Sequence, residues 1–313
     1  MLSRVAENLY WMGRYLERTE HLARYINVAY FSSLDGAHPK MQDMAIVSIA
    51  DMIGLPKPDM SEDSKEEEIL VSAALDEDNP VSILSAIFSM RENARSVRDG
   101  ISTELWESIN NFYHFVSQYP VAVYKTRGLS DFTSNVIQNT SNVRGRVMHT
   151  LLQDTGWLFI QLGLCLESAS QVVRIMISKL SDMEEVGKLK LGKSMHEHQW
   201  DILLDCVEAK DMCKKYYRSL PNRENTIDFL LLNPHFPRSV ISRLLLVVKY
   251  LEKINATNSR NQKDVLFRVS KIVTSIQYVE MSEIDENLNE FLEDLLSKIY
   301  FLSDLIVDEY FKN

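Results

Sequence analysis

Glutamate and arginine side chains alternate at helical spacing close to the start of the chain. Glu17 and Glu20 are three residues apart, and Arg14, Arg18 and Arg24 flank them. On a helix, a spacing of three places both carboxylates on one face. Paired carboxylates can act as acid and base or can hold a hard metal ion. Because the neighbouring arginines compete with a metal for the carboxylates, we predict no metal site and take Glu17 as the candidate for acid–base chemistry.

A second group of charged side chains would suit a clamp for an anion. Three arginines at i, i+4 and i+7 share one helix face, and two glutamates follow them. The group is Arg91, Arg95, Arg98, Glu104 and Glu107. Guanidinium forks grip carboxylates and phosphates through paired hydrogen bonds. If this face meets the helix of Glu17 and Arg18, a mixed charged cleft forms for a peptide terminus or a phosphate. The alternative is an internal salt-bridge network between these arginines and the carboxylates of Glu17 and Glu20.

The segment around Glu17 has a second copy in the chain. Residues 12–24 align without a gap with residues 162–174. The aligned pairs include Gly13 with Gly163, Glu17 with Glu167, and Arg24 with Arg174. We therefore predict two related halves, residues 1–153 and 154–313. A glycine on this face allows another helix to approach closely, and the glutamates and arginines beside it must be paired if buried. They either lock the halves together or line a polar cleft between them.

The elements that position these side chains are predicted to be helices throughout. Glycine and proline are scarce, at 10 and 8 of 313 residues, and apolar residues recur every three or four positions. We predict an all-α protein, a single globular bundle of ten to twelve helices without a flexible linker. The predicted helices are 3–31, 41–53, 63–76, 80–99, 102–118, 131–152, 155–181, 195–218, 224–232, 237–255, 262–280 and 284–311.

Bulk composition argues against several classes of protein. The formal net charge is −10, whereas a protein that binds nucleic acid needs a surplus of lysine and arginine for phosphate contacts. No apolar run reaches the ~18 residues of a membrane span, and charged residues interrupt the N-terminal segment that a signal peptide would occupy. The three cysteines form no CxxC pattern and suit a reducing compartment. We predict a cytoplasmic protein that contacts neither nucleic acid nor membrane.

Three sequence patterns that mark well-known enzyme classes are not found. The chain contains no G-x-G-x-x-G dinucleotide fingerprint and no G-x-S-x-G nucleophile elbow. Helical bundles that hold two iron ions carry Glu-x-x-His pairs, and none occurs here. We therefore predict no cofactor and expect a non-catalytic protein.

Three stretches of the sequence resemble the alpha-E family, a bacterial helical family named for a Glu-Arg motif. The first stretch, Leu2–Arg24, resembles the N-terminal signature of that family and carries the motif as Glu17-Arg18. The other two, residues 91–110 and 229–240, are similar to later parts of the family and occur in the expected order. The resemblance thus implies one alpha-E helical domain over residues 1–313.

The function that the resemblance implies comes from the proteins that accompany members of the family. They sit beside, or are fused to, a circularly permuted ATP-grasp ligase. A transglutaminase-like cysteine peptidase often accompanies them, and sometimes a proteasome-like hydrolase. This company implies a non-catalytic helical partner that presents or protects a substrate while amide bonds are formed or processed.

Two alternatives stay open. One is an enzyme that acts on peptide or amino-acid carboxylates, with Glu17 as acid or base and arginines as a clamp. The other is a purely structural protein that forms oligomers. In the second half of the chain, Glu167-Ser168 replaces the Glu-Arg pair, so only the first copy of the motif is complete. The residues expected to contact a ligand or partner are Arg14, Glu17, Arg18, Glu20, Arg24, Arg91, Arg95, Arg98, Glu104, Glu107, Glu167 and Arg174.

Overall fold

The chain is helical in every part that the structure describes. The structure is a computed structural model, and it describes residues 2–34, 40–56, 58, 60, 65–188, 193–257 and 263–312. Those residues form fifteen α-helices and no strand, which confirms the predicted all-α class.

Seven helices lie in the first half of the chain. They are α1 (Ser3–Leu34), α2 (Lys40–Met52), α3 (Lys65–Ala74), α4 (Ile83–Ser96), α5 (Thr103–Ser117), α6 (Val121–Val123) and α7 (Leu129–Thr150). Serine hydroxyls cap two of them: Ser82 Oγ accepts a hydrogen bond from the Ser85 amide at 3.0 Å, and Ser102 Oγ accepts one from the Leu105 amide at 3.1 Å. Helix α1 is central to this half, because α2, α4 and α7 all pack against it.

Eight helices lie in the second half. They are α8 (Thr155–Lys188), α9 (Lys193–Cys206), α10 (Lys210–Tyr217), α11 (Arg223–Leu231), α12 (Val240–Thr257), α13 (Lys263–Gln277), α14 (Met281–Glu286) and α15 (Leu288–Tyr310). Asp154 caps α8, since its Oδ1 accepts a hydrogen bond from the Trp157 amide at 3.1 Å. Helix α8 packs against α1, α2, α9, α12 and α15, so it is the central helix of this half.

The described residues contain more helices than the ten to twelve predicted, for three local reasons. The segment predicted as one helix over 195–218 breaks at 207–209, where Glu208 has a left-handed backbone with φ of 55°. A short helix, α6, lies in a stretch between predicted helices, and α14 forms a separate turn ahead of α15. A non-glycine residue keeps a left-handed backbone only where its surroundings hold it, and hydrophobic periodicity does not report that.

Two glycines set the distance between the two longest helices, α1 and α8. A Cβ atom added to Gly13 would overlap the carbonyl oxygen of Ile160, and one added to Gly163 would overlap the carbonyl oxygen of Tyr10. Only a residue without a side chain allows backbones to approach this closely. The close approach expected at these glycines is therefore present. The division into related halves at residue 153 stays a prediction.

Helix α8 is apolar enough to raise the question of a membrane span. Thr155–Lys188 is the one described helix whose length and hydropathy meet that test, and 94% of its most apolar window is buried inside the protein. A spanning helix would instead present apolar side chains to lipid. Burial of this kind is typical of a helix in a protein core.

Candidate functional site

Helix α1 buries a run of charged and titratable side chains in the centre of the fold. The buried members are Arg14, Glu17, Glu20, His21 and Arg24, each at most 7% exposed. Burying a charge costs free energy unless the charge is paired. The side chains that surround α1 must therefore pair with these buried charges, and the way they pair determines the chemistry open to the site.

Two arginines of α1 converge on the carboxylate of Glu167, which belongs to α8. Arg14 Nε donates a short hydrogen bond to Glu167 Oε2. Arg18 donates from Nε to Oε1 at 2.7 Å and from Nη2 to Oε2 at 3.2 Å. Gln171 Nε2 also donates to Oε1, at 2.8 Å. Both oxygens of Glu167 are thus engaged, and the ion pairs join the two longest helices. We refer to Glu167, Arg14 and Arg18 as the interhelix staple.

A second group of charges forms around Glu17 and Glu20. Arg144 Nη2, from α7, donates to Glu17 Oε2 at 2.7 Å and to Glu20 Oε2 at 2.5 Å. Glu20 Oε1 accepts hydrogen bonds from Arg24 Nη2 at 2.7 Å and from Arg238 Nη2 at 2.6 Å. The group therefore draws side chains from α1, from α7 and from the turn that precedes α12.

This group reaches the surface at Glu208, in the turn between α9 and α10. Glu208 Oε1 lies 2.7 Å from Arg24 Nη1, and Glu208 Oε2 accepts a hydrogen bond from Arg238 Nη2 at 2.8 Å. The side chain of Glu208 is 52% exposed, whereas that of Arg24 is 8% exposed. Arg144 is 30% exposed and forms part of the same surface. We call the following residues the charged cluster: Glu17, Glu20, Arg24, Arg144, Glu208 and Arg238.

Arginines hold the carboxylates of the cluster in the ionised state. Burial by itself raises the pKa of Glu20, but Arg144 and Arg238 outweigh it and hold that pKa at about 2. Burial likewise opposes ionisation of Glu17, yet Arg144, the hydrogen bond with His21 and, to a smaller extent, Arg243 bring its pKa well below the usual range. Both carboxylates are therefore charged at neutral pH.

The carboxyl group of Glu167 is held in the same state. Burial raises its pKa, but Arg14 and Arg18 together lower it well below the usual range. A general acid or base works best with a pKa near the pH at which it operates. Glu17 and Glu167 therefore carry no proton at neutral pH, and their lowered pKa values lie far from the pH at which a general acid or base would work there.

Comparison with known families matches this chain along nearly its whole length. The Alpha-E model, described as "a predicted alpha-helical domain with a conserved ER motif", matches residues 1–311. The chain belongs to the Alpha-E family. In this Alpha-E chain the Glu17-Arg18 pair, identified above with the motif, is divided between two groups, because Glu17 joins the charged cluster and Arg18 joins the interhelix staple.

Curated relatives share part of this Alpha-E chain. An uncharacterized protein of Mycobacterium bovis is 21% identical over 196 residues, which is 57% of this chain and 22% of the relative. An uncharacterized protein of Mycobacterium tuberculosis is 20% identical over 196 residues, with the same shares. The chain spans about a fifth of the length of these relatives. No solved structure matches it.

The Arg91 group of this Alpha-E chain lies apart from the charged cluster. Arg91 Nε donates to Asn110 Oδ1 at 2.8 Å, and Arg95 Nη2 lies 2.5 Å from Glu92 Oε2. The described partners of these two arginines are on α4 and α5, so the structure contains neither the mixed charged cleft with Glu17 and Arg18 nor the salt-bridge network with Glu17 and Glu20. Periodicity placed the arginines on one face of α4, but it does not state which element that face meets.

Four more of the predicted residues lie outside the cluster. Glu104 and Glu107 are exposed on α5, and Arg98 Nη2 donates to Thr103 Oγ1 at 3.3 Å. Arg174 was expected to pair with a carboxylate. It donates instead from Nη2 to the carbonyl oxygen of Met52 at 2.7 Å, because α2 packs against this part of α8. The ion pair expected for Arg174 is therefore wrong.

Four residues of the site were not singled out by the sequence. They are His21, Arg144, Glu208 and Arg238. A signal existed for two of them, since His21 stands four residues after Glu17 and Arg238 lies within the 229–240 stretch that carries the family resemblance. His21 Nε2 lies 3.2 Å from Glu17 Oε1. An isolated charge in a helix or a turn gives no periodic pattern, so Arg144 and Glu208 carried no signal.

Neither a metal centre nor a nucleotide loop is assigned. Within the described part of the chain, no three His, Cys, Asp or Glu side chains group closely enough to hold a metal ion. A G-x-x-x-x-G-K-S pattern does occur at residues 187–194, of which 189–192 lie outside the described residues. The helix α8 leads into it, whereas a phosphate-binding loop of this type follows a strand. The pattern therefore lacks the context that would make it a nucleotide site.

Proposed function

We propose that this chain is a helical accessory protein that holds a substrate for a circularly permuted ATP-grasp ligase and a transglutaminase-like peptidase. The charged cluster is the observation that carries the proposal. It reaches the surface through Arg144 and Glu208, and it contains more guanidinium groups than carboxylates once its neighbour Arg243 is counted. A partially exposed group of this kind suits an anionic ligand such as the carboxylate of a peptide.

The balance of charge around Glu17 and Glu20 favours an anion. The carboxylates are those of Glu17, Glu20 and Glu208, and the guanidiniums are those of Arg24, Arg144, Arg238 and Arg243. Three buried nitrogens, Arg24 Nε, Arg238 Nη1 and Arg243 Nε, have no hydrogen-bond acceptor among the described residues. A buried donor without an acceptor is costly, and an added anion would relieve that cost.

The ionisation state of the carboxylates favours a binding role. The pKa of Glu17 is lowered, burial notwithstanding, by Arg144. A carboxylate in this state orients cations rather than transferring protons at neutral pH. The cluster is therefore better suited to hold a substrate than to transform it.

An accessory role also agrees with the relatives. The matched segment is about a fifth of each mycobacterial relative, so there it is joined to a much longer stretch of other sequence. A helical segment that is joined to other parts of one polypeptide is placed to act together with those parts, as an accessory protein does. The ligase and the peptidase named here rest on the family resemblance of Leu2–Arg24.

We also propose a cytoplasmic location. The three cysteines are free and buried in the described part of the chain. Proteins of oxidising compartments commonly use cysteines in disulfides, whereas cytoplasmic proteins keep them reduced. The free thiols support the reducing compartment, which is where an ATP-dependent ligase has its nucleotide.

A binding measurement with purified proteins tests the accessory role. Isothermal titration calorimetry between this chain and an ATP-grasp ligase encoded in the same genome should give a complex with a Kd of about 1 μM or below. The chain should also raise the rate at which the ligase forms amide bonds on a peptide acceptor. The isolated chain should show no turnover of the same peptides.

Matched variants locate the surface. Arg144→Gln alters a partly exposed member of the charged cluster and should weaken the effect on ligase turnover. Because Arg144 also pairs with the buried Glu17 and Glu20, circular dichroism would first verify that this variant is folded. Arg95→Gln removes an exposed arginine that pairs with Glu92 elsewhere and should leave that effect unchanged. A wild-type chain that neither binds the ligase nor changes its turnover would contradict the proposal. Turnover by the isolated chain, abolished by Glu17→Gln with the fold intact, would establish the enzyme alternative instead.

A further inference from the structure

Glu208 occupies a clamp formed by two arginines that are anchored without it. Its two carboxylate oxygens reach different guanidiniums, Oε1 to Arg24 Nη1 at 2.7 Å and Oε2 to Arg238 Nη2 at 2.8 Å. Both arginines also bind Glu20 Oε1, Arg24 at 2.7 Å and Arg238 at 2.6 Å. The buried carboxylate of Glu20 therefore positions both guanidiniums from the interior, and Glu208 meets them from the surface.

The clamp and its occupant differ in how firmly the fold holds them. The side chain of Glu20 is 1% exposed, and those of Arg24 and Arg238 are 8% and 15% exposed. Glu208 is 52% exposed and stands in a turn, with a left-handed backbone that is unfavourable for a residue with a side chain. Its carboxylate can leave the clamp by a side-chain rotation, whereas the arginines cannot move without opening the core.

The clamp has donors that Glu208 does not use. Arg24 Nε and Arg238 Nη1 are buried and lack an acceptor among the described residues. Arg24 as a whole is only 7% exposed. A carboxylate that is free to choose its orientation can approach an arginine in the bidentate mode, which uses two donors of one guanidinium. Glu208, tethered to its turn, binds each arginine through a single nitrogen.

We propose that Arg24 and Arg238 form a binding site for the terminal carboxylate of a peptide, and that Glu208 is an internal carboxylate that this ligand displaces. The choice of a peptide rests on the proposed function, and the carboxylate itself rests on the geometry of the clamp. Glu208 acts as a tethered competitor, so the free protein binds its ligand weakly until the side chain of Glu208 rotates away from the two arginines.

Removal of the competitor tests the proposal. Isothermal titration calorimetry would use N-acetyl tetra-alanine with a free terminal carboxylate and the same peptide with a terminal amide. Glu208→Ala should bind the free-acid peptide about tenfold more tightly than the wild type does, because the tethered carboxylate no longer competes. The affinity for the peptide with a terminal amide should be the same in Glu208→Ala and in the wild type. Glu208 is exposed, so this variant is expected to fold, and circular dichroism would verify it.

A matched control separates the clamp from surface charge in general. Asp205→Ala removes another partly exposed carboxylate at the end of α9, one that pairs with Lys210 instead of with the clamp. It should leave the affinity for the free-acid peptide at the wild-type value. In the wild type, the NMR resonance of the Arg24 Nε–H should shift when the free-acid peptide is added and stay in place when the amide is added.

Three results would overturn the proposal. The first is that Glu208→Ala and the wild type bind the free-acid peptide with equal affinity. The second is that Asp205→Ala gains as much affinity for that peptide as Glu208→Ala does. The third is that Glu208→Ala gains affinity for the amide peptide as well. None of these measurements includes the ligase, so their failure leaves the accessory role standing. A ligase that forms no complex with the chain would in turn leave the peptide result unchanged.

Discussion

Gly13 and Gly163 both lie at the crossing of α1 and α8, Gly13 beside the carbonyl oxygen of Ile160 and Gly163 beside that of Tyr10. A glutamate follows each glycine by four residues, Glu17 on α1 and Glu167 on α8. The close crossing therefore brings the α1 arginines Arg14 and Arg18 within reach of Glu167. The close approach of the two helices and the ion pairs between them therefore depend on each other, so a change at either should affect the stability of the fold.

Gly13→Ala should destabilise the protein. The added methyl group would overlap the Ile160 carbonyl oxygen, and a backbone atom cannot move aside as a flexible side chain can. We expect a loss of about 3 kcal/mol in the free energy of unfolding, since overpacking of a closed contact costs about 1–3 kcal/mol or more. Urea denaturation followed by circular dichroism measures it.

Gly145→Ala is the matched control for that substitution. Gly145 lies within α7, and a Cβ atom added there meets nothing within 4 Å. Alanine is favoured over glycine in a helix by about 1 kcal/mol, so this variant should be slightly more stable than the wild type. Equal losses in both glycine variants would show that the crossing is not tightly packed.

Glu167→Gln should also destabilise the protein. The amide cannot neutralise Arg14 and Arg18, which leaves two cations without a counter-charge, and the side chain of Arg14 is only 6% exposed. Removal of one partner of a buried ion pair costs about 3–5 kcal/mol. Asp294→Asn is the control, because Asp294 forms an exposed pair with Lys298 and should cost less than about 1 kcal/mol. Similar losses in both variants would mean that the staple is not a buried ion pair.

Acid should destabilise the fold over a defined range of pH. The pKa of Glu20 is held at about 2, and those of Glu17 and Glu167 are lowered too, whereas a glutamate in an unfolded chain has a pKa of about 4.3. The unfolded state therefore binds protons first as the pH falls. The ion pairs contribute fully above about pH 5, and their contribution falls away towards about pH 2.

Urea midpoints at a series of pH values measure this dependence. The free energy of unfolding of the wild type should decline steadily from about pH 5 downwards. Glu20→Gln should be less stable at pH 7 and should decline less steeply, because one of the lowered carboxyl groups is gone. A wild-type stability that stays constant between pH 5 and pH 3 would show that these carboxylates have ordinary pKa values in the folded protein.

The thiols of the folded protein should be inert to alkylation. Burial raises the pKa of Cys165 to about 11 and that of Cys206 to about 12. The thiolate is the reactive form, and thiols with pKa values this high are almost entirely protonated at pH 8. Iodoacetamide followed by mass spectrometry should leave both residues unmodified in the folded chain and modify both in guanidinium chloride. Rapid labelling without denaturant would place them at the surface.

The sequence was informative wherever the cause is local. The spacing of apolar residues predicted helices over most of α1, α7 and α8, and Asp154 was recognisable as a cap because capping depends on the next three residues. Gly13 and Gly163 were recognisable as a place of close approach, because they align in the two copies of the repeated segment and a glycine within a helix lets another backbone come near. The break at Glu208 was not recognisable, because a left-handed backbone at a residue other than glycine gives no signal in the spacing of apolar residues.

What the sequence determined by itself is the all-helical class, the family and the set of charges that α1 carries. Tertiary structure alone decided which charges meet. Arg144, Glu208 and Arg238 join the cluster from three distant segments, while Arg174 turns to a carbonyl oxygen of α2. The physical reason is that helical periodicity fixes the direction of a side chain about its own axis. The neighbour found in that direction depends on how the whole set of helices packs.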